Sequence, residues 1–98
     1  MFYALKDEFG NYVSIRSKLS GGYLYITYTS DMYRARTFSE KQAIRSKTII
    51  NKAVSSTNTG FNRPRAYDDD KNQSRPIIPV NIVRLKLTEE EEEVNDTV

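Results

Sequence analysis

The sequence contains no cysteine and no histidine. Without cysteine there is neither a disulfide framework nor a thiolate metal site, and a reducing intracellular compartment is the simplest setting. Without histidine the commonest general base is missing, along with most of the remaining transition-metal chemistry. A catalytic site would have to rest on Ser, Lys, Tyr or carboxylates. Only seven carboxylates precede Thr88, and three of them, Asp68, Asp69 and Asp70, are consecutive rather than converging from separate rigid elements. No enzymatic activity, cofactor or metal is therefore expected. No apolar run approaches the roughly 20 residues of a membrane helix, and the stretch Met1 to Asp7 has no basic region followed by an apolar one. The expectation is an intracellular protein with no membrane partner.

What is present fits one small domain. The chain of 98 residues is 38% hydrophobic and 29% charged, leaner in core material than an average globular chain, so some length is expected to stay outside the core. The net charge of +2 hides a segregation. All 15 Lys and Arg lie before Thr88, against seven acids, so residues 1–87 carry +8, whereas Glu89 to Glu93 and Asp96 give the remainder −6. A basic body attracts polyanions, and an acidic tail can screen it, tune its affinity or keep it soluble.

Phe2 to Lys6 and Tyr12 to Ser17 are β-prone runs around Gly10-Asn11, a pair that tolerates the positive φ of a hairpin loop. After Gly21-Gly22, the run Tyr23 to Thr29 is the most β-prone in the chain, and three antiparallel strands in a meander follow. Alternation places Val13 and Ile15 on one face and Tyr12, Ser14 and Arg16 on the other, with Leu24, Ile26 and Tyr28 opposed to Tyr23, Tyr25 and Thr27. Arg36 to Phe38 reads as a brief extended segment. Ser39 is the expected N-cap of a helix from Glu40 to about Val54, because Gln42 completes a capping box and Phe38 can staple against Ala43. Its apolar stripe is Ala43, Ile44, Ile50, Ala53 and Val54, and its outer face is basic.

Residues 55–76 are polar and interrupted by Gly60, Pro64 and Pro76, which reads as a long flexible loop able to order on a partner. Ile77 to Leu87 alternates again and suits a final strand with one face on the core. From Thr88 on, five consecutive glutamates repel one another and a disordered acidic tail is expected. The predicted fold is α+β: a mostly antiparallel sheet of three to five strands with one helix packed on one face, domain 1–87 and tail 88–98.

Two basic sets are candidates for binding. On the expected outer sheet face, Tyr12, Arg16, Tyr23, Tyr25, Arg84 and Lys86 would put aromatic rings among cations, the pattern on which single-stranded bases stack while phosphates are neutralised. Cross-strand tyrosine pairing accounts for the rings equally well. Arg34, Arg36, Lys41, Arg45, Lys47, Lys52, Arg63 and Arg65 form a second set running from the approach to the helix into the loop, suited to phosphates, to an acidic protein surface, or simply to solubility. Asp68 to Asp70 lacks the spacing, glycine and terminal glutamate of an EF-hand loop and reads as a solvated acidic turn loosely paired with nearby arginines. Gly21-Gly22 has no following Lys-Ser/Thr and no adjoining helix, and reads as turn chemistry rather than a phosphate loop.

The run Tyr3-Ala4-Leu5-Lys6-Asp7-Glu8-Phe9-Gly10-Asn11-Tyr12-Val13-Ser14, followed by Ala35-Arg36-Thr37-Phe38-Ser39-Glu40-Lys41-Gln42-Ala43, resembles small accessory proteins of phages and prophages of low-GC Gram-positive bacteria. The resemblance covers about the first half. It implies a protein acting stoichiometrically on a host or phage macromolecule inside an infected bacterium, for instance by blocking a nuclease or other defence factor. It brings no catalytic residues. A nucleic-acid-binding module whose acidic tail modulates binding is the alternative, and an assembly protein that pairs through an open sheet edge near Met32 to Phe38 or Pro79 to Leu87, as a homodimer for instance, is the third.

Overall fold

A computed structural model describes residues 2–19, 24–54 and 65–85, together with the backbone of 91–93. Its elements in chain order are β1 (Phe2–Asp7), β2 (Tyr12–Val13), β3 (Tyr25–Thr29), α1 (Glu40–Val54), β4 (Arg65–Asp68), β5 (Gln73–Arg75), β6 (Val80–Leu85) and β7 (Glu91–Glu93), with a single 3-10 turn at Met32–Arg34. The protein is α+β, one helix against one mixed sheet in the order β5-β4-β3-β2-β1-β6-β7. That is more strands than the three to five expected. Five of the six pairings are antiparallel, and β3 with β4 is parallel, since α1 carries the chain across one face between them.

The expected hairpin and helix start are formed. Gly10 has φ +89°, while the Asp7 carboxylate accepts from the backbone N–H groups of Phe9 and Asn11, both at 2.9 Å. Ser39 and Gln42 bond reciprocally at 3.3 Å, each side chain to the other's backbone N–H. Ala43 and Ile50 on the inner face of α1 then meet Leu5, Val13, Ile26, Tyr28, Phe38, Val80 and Ile82 in the main core.

The expected loop at 55–76 requires correction over its second half. Residues 55–64 lie outside the described residues, but 65–75 form the hairpin β4–β5, with Asn72 in the left-handed region at φ 58° in its turn. Arg, Asp, Gln and Ser are weak strand formers, so this hairpin is imposed by pairing with β3, which presses Ala66 into the core beside Ile26. Within the segment expected to be a tail, Glu91–Glu93 runs antiparallel to β6, and 86–90 and 94–98 lie outside the described residues. The sheet edges proposed for self-pairing are also occupied: β6 sits between β1 and β7, and Phe38 exchanges two backbone bonds with Tyr3 (2.8 and 3.1 Å).

The sheet is strongly curled. In a flat sheet the four steps from β5 to β1 would span about 19 Å at ~4.8 Å each. Yet Arg75 on β5 forms an ion pair of 3.2 Å with Asp7 on β1, its guanidinium carbon 4.2 Å above the Tyr28 ring between them. The helix lies over β1 and β6 on this face, and the cross-link closes it beside Tyr28. Burial raises the Tyr28 pKa above its ordinary value, despite its hydrogen bond to the Ile78 carbonyl and the nearby Arg75 charge.

Candidate binding surface

The second run, expected as one strand from Tyr12 to Ser17, is broken after Val13. Ser14 still donates its N–H to the Thr27 carbonyl (2.7 Å), but the chain then turns, Ser17 N–H bonding back to the Ser14 carbonyl (3.0 Å). Pairing resumes at Lys18 with Tyr25. Inside the interruption the Ser17 hydroxyl takes the place of a backbone partner, bonding both the N–H and the carbonyl of Thr27 (2.9 and 3.1 Å). This turn works like a β-bulge: it keeps the ladder satisfied while expelling two residues from it. Ile15, expected on the core face beside Val13, is instead 67% exposed, and Arg16 projects with it.

The 3-10 turn runs alongside. Ile15 N–H donates to the Arg34 carbonyl and Arg36 N–H to the Val13 carbonyl, each at 2.9 Å, so the two segments are joined through backbone. Tyr33 in that turn is 73% exposed. Asp31 caps it, its carboxylate accepting from Tyr33 N–H at 3.0 Å.

Beneath these residues lies the aspartate run. Asp68 accepts from the N–H groups of Asp70 and Lys71, both at 3.0 Å, and so shapes its own turn. The Asp69 side chain, only 2% exposed, receives Arg16 at 3.0 Å, the Arg34 guanidinium, and the Ser14 hydroxyl at 3.3 Å. Asp70 binds the Ser30 N–H and hydroxyl, both 2.7 Å, and the Thr29 hydroxyl, 2.8 Å. These bonds to Ser30, then that to Thr29 and the charge of Arg34, hold the Asp70 pKa below its ordinary value. The acidic turn is paired with arginines, but its Asp69 side chain is buried rather than solvated, and Asp70 ties the turn to the end of β3. Among the described residues no cluster of carboxylates is arranged for a metal ion.

The aromatic and basic sheet face is divided. Tyr12 is 4% exposed, under the Lys6 ammonium (5.2 Å to the ring centroid) in a second core with Ala4, Ala35 and Val83, which Met32 and Leu85 flank. Alternation assigns Tyr12 to the right side of the strand, but the segment after β3 folds over that side. Arg84 faces the other way: it pairs with Tyr3, and Lys6, three residues on, pairs with Tyr12, so Arg84 shares the helix side. What stays together is Tyr25 with Tyr67, ring centroids 6.4 Å apart, and Arg65 opposite Tyr25 on the neighbouring strand. Tyr67 was not foreseen, since β4 itself was not. Lys41 and Arg45 are exposed on α1, and Arg36 is half-buried, donating to the Ser17 carbonyl at 2.7 Å. Tyr23, Arg63 and Lys86 lie outside the described residues.

Among the described residues no helix is long and apolar enough to cross a membrane. Comparison with protein-family models, curated sequences and solved structures finds no match.

Proposed function

We propose that this chain is a non-enzymatic binding protein that covers the surface of a partner protein with Ile15, Arg16, Tyr33 and Arg34. The observation carrying this reading is the interrupted strand, which places Ile15 in solvent beside an exposed Tyr33. Burying an isoleucine contributes about 1.5–3 kcal/mol, so the exposed side chain is stabilisation left available to a complex. Tyrosine and arginine are the residue types that most often dominate interface energies. Asp69 holds both guanidiniums in place, which lowers the entropy lost on docking, and their outward charge suits a partner face with apolar pockets and carboxylates. The resemblance to phage accessory proteins is compatible with a host factor as the target and occlusion as the mechanism.

The test compares the wild type with the double variant Ile15→Glu/Tyr33→Ser, both immobilised and exposed to bacterial lysate with and without nuclease. A protein retained by the wild type in both conditions and lost from the variant supports the reading. Identical retention by both forms overturns it.

A second reading, binding of single-stranded nucleic acid, is favoured by one observation: Tyr25, Tyr67 and Arg65 share a half-open sheet face. Fluorescence anisotropy with labelled oligonucleotides tests it. A salt-dependent affinity that rises on removal of residues 88–98 and falls in Tyr67→Ala is the expected result, and no binding at low salt removes it.

A further inference from the structure

A cleft of about 490 Å³ opens between α1 and the segment leading into it; neither Ile15 nor Tyr33 lines it, and it is independent of the reading built on them. Its apolar surface comes from Leu19, Leu24, Phe38 and Ile49, and Arg36 and Arg45 provide two guanidinium groups. No carboxylate lines it among the described residues. Arg36 is preorganised, because its Nη1 donates to the Ser17 carbonyl at 2.7 Å and its guanidinium carbon lies 5.7 Å from the Phe38 ring centroid. Arg45 approaches from the helix and is exposed, and the buried Ser46 adds a hydroxyl one residue on.

We infer that this cleft binds a small organic anion, an apolar or aromatic body carrying one phosphate or carboxylate group. The volume falls within the range typical of small-molecule sites, roughly 300–1,000 Å³. The planar, forked donors of two arginines match phosphate and carboxylate oxygens, and Leu19, Leu24 and Ile49 exclude water from the body of such a ligand. Neither feature suffices by itself. A bare anion leaves the apolar surface wet, and a neutral apolar molecule leaves two cations without a counter-charge.

The test is an NMR titration of the full chain with phenyl phosphate, inorganic phosphate and benzyl alcohol at matched ionic strength, followed on backbone amide resonances. Phenyl phosphate is expected to saturate with a Kd on the order of 1 mM, perturbing Phe38, Gln42, Ser46 and Ile49, with the two fragments each at least about tenfold weaker. Arg45→Gln, on the exposed side of α1, is expected to weaken phenyl phosphate about tenfold without altering the remaining spectrum. Arg36→Gln is expected to weaken it at least as much, and its dispersed spectrum confirms that the fold persists. Absence of saturable shifts, equal binding by inorganic phosphate alone, or unchanged affinity in Arg45→Gln overturns the inference.

Discussion

Two aspartate–arginine contacts in this molecule differ in one respect, and the difference separates holding the fold from presenting a surface. Asp7 and Arg75 are both withdrawn from water, with side chains 0% and 13% exposed, and they join strands 68 residues apart across the concave face. Asp69 is equally buried at 2%, but its partners Arg16 and Arg34 are 69% and 44% exposed. In the first contact the desolvated Arg75 is offset by Asp7, by Asp68 at 3.9 Å and by the Tyr28 ring, and the desolvated Asp7 by Arg75 and the N–H groups of Phe9 and Asn11, so Asp7 loses its cation if Arg75 is removed. In the second only the carboxylate is withdrawn from water, and the guanidiniums it holds keep faces open to water or to a ligand.

Removing one member of each pair breaks the comparison most directly. Arg75→Ala leaves Asp7 buried without its cation and is expected to cost about 3–5 kcal/mol in urea denaturation. Asp69→Ala releases two arginines that solvent can accommodate, with an expected loss of about 1–3 kcal/mol, and weakens partner capture by loosening Arg16 and Arg34. Comparable losses in the two variants would mean that the outer contact is as structural as the inner one.

Tyr28→Phe sharpens the inner half. The hydroxyl donates to the Ile78 carbonyl and accepts from its N–H, so its loss is expected to cost about 1–3 kcal/mol. Because the folded pKa is raised, the tyrosine's contribution is fully present below the ordinary value of 10.0 and is lost as pH rises above it toward the folded value. Denaturation of wild type and Tyr28→Phe between neutral and alkaline pH should show the difference narrowing. Asp70 behaves in the opposite sense. Its pKa is lowered, so its contribution is present above the ordinary aspartate value of about 4 and is lost as pH falls through the folded value. The stability gap between wild type and Asp70→Asn should therefore close in acid.

The smallest expected effect on stability is that of Arg16→Ala, about 0.5 kcal/mol or less, because one end of its ion pair is exposed. Its effect on partner affinity is expected to exceed its effect on stability, which surface plasmon resonance against the captured partner would measure. An equal effect on both would place Arg16 with Arg75 as a structural residue.

The helix, its capping box, the Gly10 turn and the opposition of Tyr12 to Val13 were legible because each rests on residues within a few positions of one another. The binding surface was legible in part. Arg16 and Arg34 stood out as charges, but Ile15 looked like a core residue because alternation assumes an unbroken strand, and only Ser17 replacing a backbone partner shows where the strand breaks. Tyr33 carried no periodic signal, and Asp69 looked solvated because its partners lie 53 and 35 residues away.

The sequence by itself determined where the helix and most strands of the first half lie and, wherever a strand runs unbroken, which side its residues take, as for Tyr12 and Val13 but not for Ile15. Tertiary structure decided what covers those sides: that the turn after β3 buries Tyr12, that β4 pairs parallel to β3, and that Arg75 closes the curl over Tyr28. The physical reason is the range of the interactions. Capping, turns and alternation stabilise a segment through its immediate neighbours, whereas contacts between distant residues cost loop-closure entropy that only the assembled sheet offsets.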